Sequence, residues 1–355
     1  MNHPIANHLI HWHEAHPRAL VWKQYSDAYS IWLSEIIMQQ TRVEQGSAYF
    51  EAFKNAFPTV FDLAKAPLDE VIRLWEGLGY YSRARNLHLT AQVLVKDYQG
   101  VFPKTPNEIQ QLKGIGPYTA AAIASFAFNY PIAAIDGNAY RVLSRLFDID
   151  TPIDSSSGRK QFQELGNSLL DPAKSGTFNQ ALMNFGALVC TPKKPKCNDC
   201  VLQQQCLSFS NQTTDSRPVK SKSLKKTPRY FNYFFLQQGK DTWIGERKSA
   251  DIWQNLYEFP LIETSRPLDL DSLVEQAQAK NFLPAEFTIK KLHTDLKQIL
   301  SHRIIYTKIV EIEVPKAFSL PHFQKTAIQA IGSQPFPRIL KKFLTQQGIS
   351  ANSNQ

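Results

Sequence analysis

The stretch Leu112-Lys113-Gly114-Ile115-Gly116-Pro117-Tyr118-Thr119-Ala120 reads as the end of a short helix, a two-glycine turn and the start of a second, alanine-rich helix. The glycines let the chain turn tightly and bring backbone N–H groups at a helix start close to a phosphate, where the helix dipole also favours an anion. This is a helix-hairpin-helix pattern. Any pair of antiparallel helices could use a Gly-x-Gly turn, so the weight of this one comes from its surroundings.

Outward from the hairpin, from Ile5 to about Leu188, apolar residues recur at three- and four-residue spacing in short stretches broken by Pro or Gly. Examples are AYSIWLSEIIMQQ, LDEVIRLWEGLG, ARNLHLTAQVLVKDY, AYRVLSRLF and FNQALMNFGALV. They predict helices, and the region as a whole all-α. Asp136-Gly137-Asn138 follows the apolar run Ile132 to Ile135 and precedes a helix, where an Asp ordinarily serves as N-cap. A chemical role needs a second carboxylate, and Glu35 supplies one. It interrupts IWLSEIIMQQ with Ile31, Trp32, Met38 and Gln39 as helical neighbours, so its carboxyl should be poorly hydrated and hold a proton near neutrality.

The four cysteines all lie between Cys190 and Cys206, as Cys190-x6-Cys197-x2-Cys200-x5-Cys206. Such clustering suits one metal site better than a disulfide framework, and hence a reducing compartment. Four-thiolate sites hold zinc or an iron-sulfur cluster; one short knuckle flanked by wider gaps suits the larger object. Lys193, Lys194 and Lys196 put positive charge on that loop.

Past the cysteines the texture changes. RYFNYFFLQQ, DTWIGER, YEFPLIE and RIIYTKIVEIEV predict strands, and SLVEQAQAKNF and PRILKKFLTQQ predict helices, giving a second, α+β region. Lys and Arg outnumber Asp and Glu by 19 to 18 up to Ser210 and by 21 to 13 after it, so the basic excess belongs to the second part. It peaks at Arg217, Lys220, Lys222, Lys225, Lys226 and Arg229, read as a solvated linker or a phosphate-tracking tether. The 355 residues allow two or three domains. With no run of about 20 uncharged apolar residues and no signal-peptide pattern in MNHPIANHLIHWHEAHPR, a soluble cytoplasmic protein without membrane contact is expected.

SEIIMQQT, FPTVFDLAKAPLDEVIRLWEGLGYYSRARNLH, the hairpin, IDGN, FNQALMNFGALVC and the cysteine spacing together resemble, in this order, the helix-hairpin-helix DNA glycosylases. Within them they resemble the adenine glycosylases that act on adenine mispaired with oxidised guanine, the MutY family. The likeness runs from about Trp12 to Cys206. It implies a base-excision repair enzyme that hydrolyses the N-glycosidic bond of adenine opposite 8-oxoguanine or guanine in double-stranded DNA. It also implies catalytic carboxylates at Glu35 and Asp136, Tyr118 and Asn138 beside sugar and base, and a 4Fe-4S cluster on Cys190, Cys197, Cys200 and Cys206. Gln40 and Tyr80 match wedge positions that fill the gap left by an extruded base, and Arg83 and Arg85 follow within reach of a phosphate. Related enzymes that also cut the backbone carry a Schiff-base lysine where this chain has Tyr118, so a monofunctional enzyme is expected. A monomer is expected as well.

More weakly, IWQNLYEFP and SHRIIY resemble the family's Nudix-like domain, implying that Ser301 and His302 read the oxidised guanine. The pyrophosphatase signature is absent, and Leu300 stands where an aromatic is common. The expected architecture is an all-α glycosylase region, 1–207, with a six-helix barrel at about 28–134 and a cluster module from 1–27 and 135–207. A basic linker, 208–228, an α+β Nudix-like domain, 229–346, and a flexible tail, 347–355, complete it. The rival readings are an endonuclease III-like glycosylase and lyase, disfavoured by Tyr118, and a mismatch-binding protein without catalysis, in which both carboxylates would be superfluous.

Overall fold

The computed structural model describes residues 3–221 and 226–349. Lys222 and Lys225 of the basic run, and most of the expected tail, lie outside them. The chain divides into two compact units, Met1–Leu74 with Arg83–Ser223, and Trp75–Ser82 with Leu224–Gln355. Among the described residues no helix is long and apolar enough to cross a membrane.

The first unit is helical: α1 (Pro4–Ala15), α2 (Ala28–Met38), α3 (Val43–Ala56), α4 (Val60–Lys65), α5 (Leu68–Leu74), α6 (Ser82–Tyr98), α7 (Pro106–Ile109), α8 (Pro117–Phe128), α9 (Gly137–Leu146), α10 (Ser156–Leu169), α11 (Ser175–Leu188) and α12 (Leu207–Ser210). Asp27 caps α2, accepting from the Ser30 N–H at 2.8 Å. Ile31, Trp32, Leu33, Ile36 and Ile37 are all buried, so α2 is apolar around most of its circumference and runs through the interior against α3 and α8. Thr59 and Thr105 form capping boxes with Asp62 and Glu108, which start α4 and α7.

The apolar run before Asp136 forms neither helix nor strand. Its backbone groups are taken by side chains instead: Asn167 accepts from Ala133 N–H, fully buried Asn179 accepts from Ala134 N–H, and Asn179 Nδ2 donates to the Ile132 carbonyl, each at 2.9 Å. Every buried backbone group needs a partner. These amides supply one while fixing where Asp136 begins α9.

Much of the expected linker is not free chain. Ser208, Asn211 and Thr213 donate to the Asp148 carboxylate at 3.1, 2.9 and 2.6 Å, and Arg217 pairs with the same carboxylate at 2.9 Å. Ser221 is held by Asp154 at 2.9 Å. These residues, counted above as 208–228 linker, fold against the first unit because Asp148 offers an anchor that the local sequence around Arg217 does not reveal.

The second unit holds two sheets. One has the order β4 (Leu261–Thr264), β1 (Thr227–Gln237), β6 (Arg303–Glu313), β5 (Thr288–Ile299), with β1 and β6 parallel and the other pairs antiparallel. The other has the order β3 (Tyr257–Glu258), β2 (Asp241–Glu246), β7 (Gln324–Ala327). Leu273 and Ala277 of α13 (Leu270–Ala279) join a core with Phe234, Leu236, Val310 and Ile312. Phe235 stacks edge-on against Phe343 of α14 (Arg338–Gln346). Arg229, the last residue of the expected basic tether, is bound to Asp251 and Glu263, both at 2.6 Å, and is no free phosphate contact.

Candidate active site

A cavity of about 850 Å³ in the first unit is lined by Glu35, Gln39 and Gln40 at the end of α2, by Gly114, Gly116 and Tyr118 of the hairpin, and by Asp136 and Asn138 at the start of α9. Residues about a hundred positions apart thus share one chamber. Tyr118 donates its hydroxyl to Glu35 Oε2 at 2.8 Å. Burial pushes the Glu35 carboxyl up to about 7; the Tyr118 hydrogen bond pulls the other way and the nearby Asp136 adds to the rise. Glu35 therefore shares its proton with water near neutral pH.

Asp136 is both N-cap and cavity carboxylate. Its Oδ1 accepts from the N–H groups of Asn138 and Ala139 at 2.9 and 2.7 Å, and its Oδ2 accepts from Asn138 Nδ2 at 2.7 Å. Burial raises its pKa, but these donors and Arg141 favour the anion. Glu35 has one hydroxyl donor in a drier place. Burial thus raises both carboxyls, but Asp136 has these donors and Arg141 to offset its rise, so of the pair Glu35 is the one set to hold the proton.

The two hairpin glycines do different work. Gly114 has φ of +82°, and a Cβ there would meet Asn86 at 2.7 Å, so the turn and its packing both require it. Gly116 caps α8 with φ of −89°, and a Cβ there would meet no protein atom within 4 Å. The protein does not need Gly116 bare; the open approach to the first N–H groups of α8, which no side chain caps, is what its hydrogen preserves.

The expected wedge residues share a backbone feature. Gln40 and Tyr80 have φ of 56° and 49°, the left-handed region that ordinary residues seldom adopt, and both are exposed. Tyr80 groups with the second unit, where its hydroxyl and Ser301 Oγ are hydrogen-bonded. Ser301 and His302 form the turn between β5 and β6. Arg83 is placed otherwise than expected: its Nη1 donates to the carbonyls of Ile36, Ile37 and Gln39 at 2.8, 3.1 and 2.6 Å, closing the C-terminal end of α2. Its charge holds the Glu35 helix rather than standing ready for a phosphate. Arg85 is half-buried, and desolvation lowers its pKa.

Sequence reasoning missed Arg18, Gln180 and Asn184, which also line the cavity. Arg18 and Gln180 donate to Asn184 Oδ1 at 3.4 and 3.3 Å. The available signal was Gln180 and Asn184, spaced i, i+4 on α11.

Next to this chamber lies the cysteine loop. Cys190, Cys200 and Cys206 pack on the core of α1, α9 and α11. Arg145 Nη1 donates to Cys190 Sγ at 3.4 Å, and Arg141 joins the Cys190 carbonyl, at 2.7 Å, to Asn138 Oδ1, at 2.8 Å. A hydrogen-bonded path thus runs from the loop through Asn138 to Asp136. Burial and mutual repulsion raise the Cys197, Cys200 and Cys206 thiols, Cys200 to about 11. Among the described residues, no three His, Cys, Asp or Glu side chains are gathered as around a small ion. The donor set nevertheless fits a cationic cluster: thiols that repel one another as thiolates need a positive centre, and buried Arg145 faces the resulting negative charge.

The family model for the HhH-GPD superfamily of base excision DNA repair proteins matches residues 33–168. An adenine DNA glycosylase of Buchnera aphidicola subsp. Baizongia pistaciae (strain Bp) is 34% identical over 322 residues, covering 90% of this chain and 88% of that protein. Among solved structures, a thermostable thymine-DNA glycosylase matches 58% of this chain and 95% of its own, with 28% identity and a TM-score of 0.55. An endonuclease III in a non-covalent DNA complex shares the fold, at 20% identity, TM-score 0.51 and 59% of this chain against 95% of its own. The helical unit is thus that of a helix-hairpin-helix DNA glycosylase. The chain belongs to the adenine DNA glycosylase family.

Proposed function

We propose that this enzyme removes adenine from double-stranded DNA where it stands opposite 8-oxoguanine or guanine, leaving an abasic site. The observation that carries this reading is the pair of carboxyls on one cavity, with Glu35 pushed up to about 7 and Asp136 held by three hydrogen-bond donors. A base inside a duplex has to be extruded to reach such a chamber, with Gln40 and Tyr80 filling the gap. Protonated Glu35 delivers its proton to a purine ring nitrogen, because adenine leaves poorly as an anion. Asp136 stabilises the oxocarbenium-like sugar, and Asn138 orients it. Glu35, then ionised, accepts a proton from the incoming water. Arg18 and Gln180 face the same space and are assigned to the base edge. Tyr118 offers no amine for an imine, so the enzyme does not cut the strand.

Cys190, Cys197, Cys200 and Cys206 would hold a 4Fe-4S cluster, which when bound supplies a rigid structural anchor for the loop. Arg141 extends the order of that loop to Asn138. The second unit, 229–346, is assigned as a Nudix-like recognition domain with Ser301 and His302 at its reading turn. Residues 28–134 are assigned to the six-helix barrel, and 1–27 with 135–207 to the cluster module.

The test is single-turnover excision from a duplex with adenine opposite 8-oxoguanine, read as alkali-labile strand, with Glu35→Gln and Asp136→Asn beside the wild type. Both variants should bind the duplex and lose at least about 100-fold in rate. Near-normal excision by either would remove that carboxylate from the mechanism.

A further inference from the structure

The sheet of the second unit is covered unevenly. The α13 side chains Leu273 and Ala277 share a core with Phe234, Leu236, Val310 and Ile312. Nearer the turn that carries Ser301, the same face runs on as Pro228, Tyr230, Ile299, Ile304 and Tyr306, by strand alternation and register. Here Ile299 is 58% exposed and Tyr306 36%. Tyr230 and Tyr306 stack with centroids 5.3 Å apart and planes 15° apart, and the Lys297 ammonium lies 5.3 Å from the Tyr306 centroid. The register puts Lys297, Tyr306, Tyr230 and Thr264 in one row across four strands. That row contains a cation, two phenols and a threonine, and no carboxylate.

We propose that this uncovered end of the sheet is a second DNA contact, gripping the backbone of the strand that the Ser301 turn addresses. The proposal rests on the reading of the second unit given above. Three observations favour a polyanion over another occupant: Lys297 and the phenols can meet phosphate, the row lacks an acid, and residues 230–355 carry 15 basic against 12 acidic residues. Ile299 and the tyrosine edges meet the apolar sugars. Lys297 lies four residues before Ser301, about 13 Å along the strand at about 3.4 Å per residue. That span covers about four base-pair steps beyond the base at the turn. Such a contact carries no sequence information; it fixes register and orientation, so that Ser301 meets one base.

The experiment uses the full chain and two labelled duplexes, one undamaged and one with adenine opposite 8-oxoguanine, with affinity followed by anisotropy across a salt series. Lys297→Ala should weaken both duplexes by about 3- to 10-fold and lower the salt slope by about one. Ile299→Asp should weaken both by at least about 10-fold, with the ratio between them unchanged. Both side chains are exposed, and the melting temperature of each variant should stay at the wild-type value. Wild-type affinity and salt slope in both variants would overturn the proposal. So would sedimentation showing a wild-type dimer that Ile299→Asp separates, since the face would then belong to a second copy of the chain. Absence of adenine excision by the wild type would defeat the proposed activity alone, because the affinity readout needs no catalysis.

Discussion

At the scale of the residue, Glu35 is a carboxyl whose burial works against folding. Between pH 4.5 and about 7 the unfolded chain releases this proton while the folded protein keeps it, so stability falls as pH rises through that window. The difference amounts to about 3 kcal/mol above pH 7. Glu35→Gln should therefore melt above the wild type at pH 8, with a smaller gap at pH 5; a gap independent of pH would mean that Glu35 is hydrated. Tyr118 makes a finer prediction. Its hydroxyl donates to Glu35 and favours the ionised form, so Tyr118→Phe should raise the Glu35 pKa further. The alkaline limb of the excision rate, expected near pH 7 in the wild type, should move to higher pH in that variant. A limb that stayed in place or moved down would contradict the assignment of Glu35 as the titrating acid.

At the scale of the element, the helix-hairpin-helix was visible because its requirements are local: a left-handed glycine, an open helix start and Pro117 at the first helical position. Gly116→Ala should leave the melting temperature almost unchanged and weaken DNA binding, since the added methyl meets only what approaches from outside. Gly114→Ala should destabilise by about 1 kcal/mol or more, through its positive φ and Asn86. Equal losses of stability in the two would refute the distinction. Elements that escaped notice did so for physical reasons. The β5 strand carries Lys290, Lys291 and Lys297 and shifts register twice, between Ile289 and Lys291 and between His293 and Leu296, which destroys the alternation that marks a strand. The Asn179 clamp that positions Asp136 is one of three amides on α11, and which backbone groups it serves is unreadable until its partners are folded around it. Arg83 looked like a free cation because nothing near it in sequence announces the carbonyls of α2.

At the scale of the whole molecule, the chemistry is proposed to fall to the helical unit and its guidance to the second. Adenine is an undamaged base, so a chamber that accepts it cannot alone supply safe specificity; part of the discrimination has to come from the base opposite. Because Asp148 and Asp154 hold the chain as far as Ser221, a chain cut there should keep its helical unit folded, whereas one cut at Ser210 would strip Thr213 and Arg217 from Asp148. The cysteine loop makes a separate prediction. Cys200→Ser should abolish the brown colour and the iron content together while most of the helical content persists, and a colourless wild type holding one zinc would overturn the cluster assignment. The most direct measurement is the single-turnover rate of adenine excision opposite 8-oxoguanine and opposite guanine, for the full chain and for the chain ending at Ser221. The account predicts excision by both, with a preference for 8-oxoguanine in the full chain that shrinks in the shorter one. Absence of adenine excision by the full chain, or equal rates opposite the two bases, would contradict it.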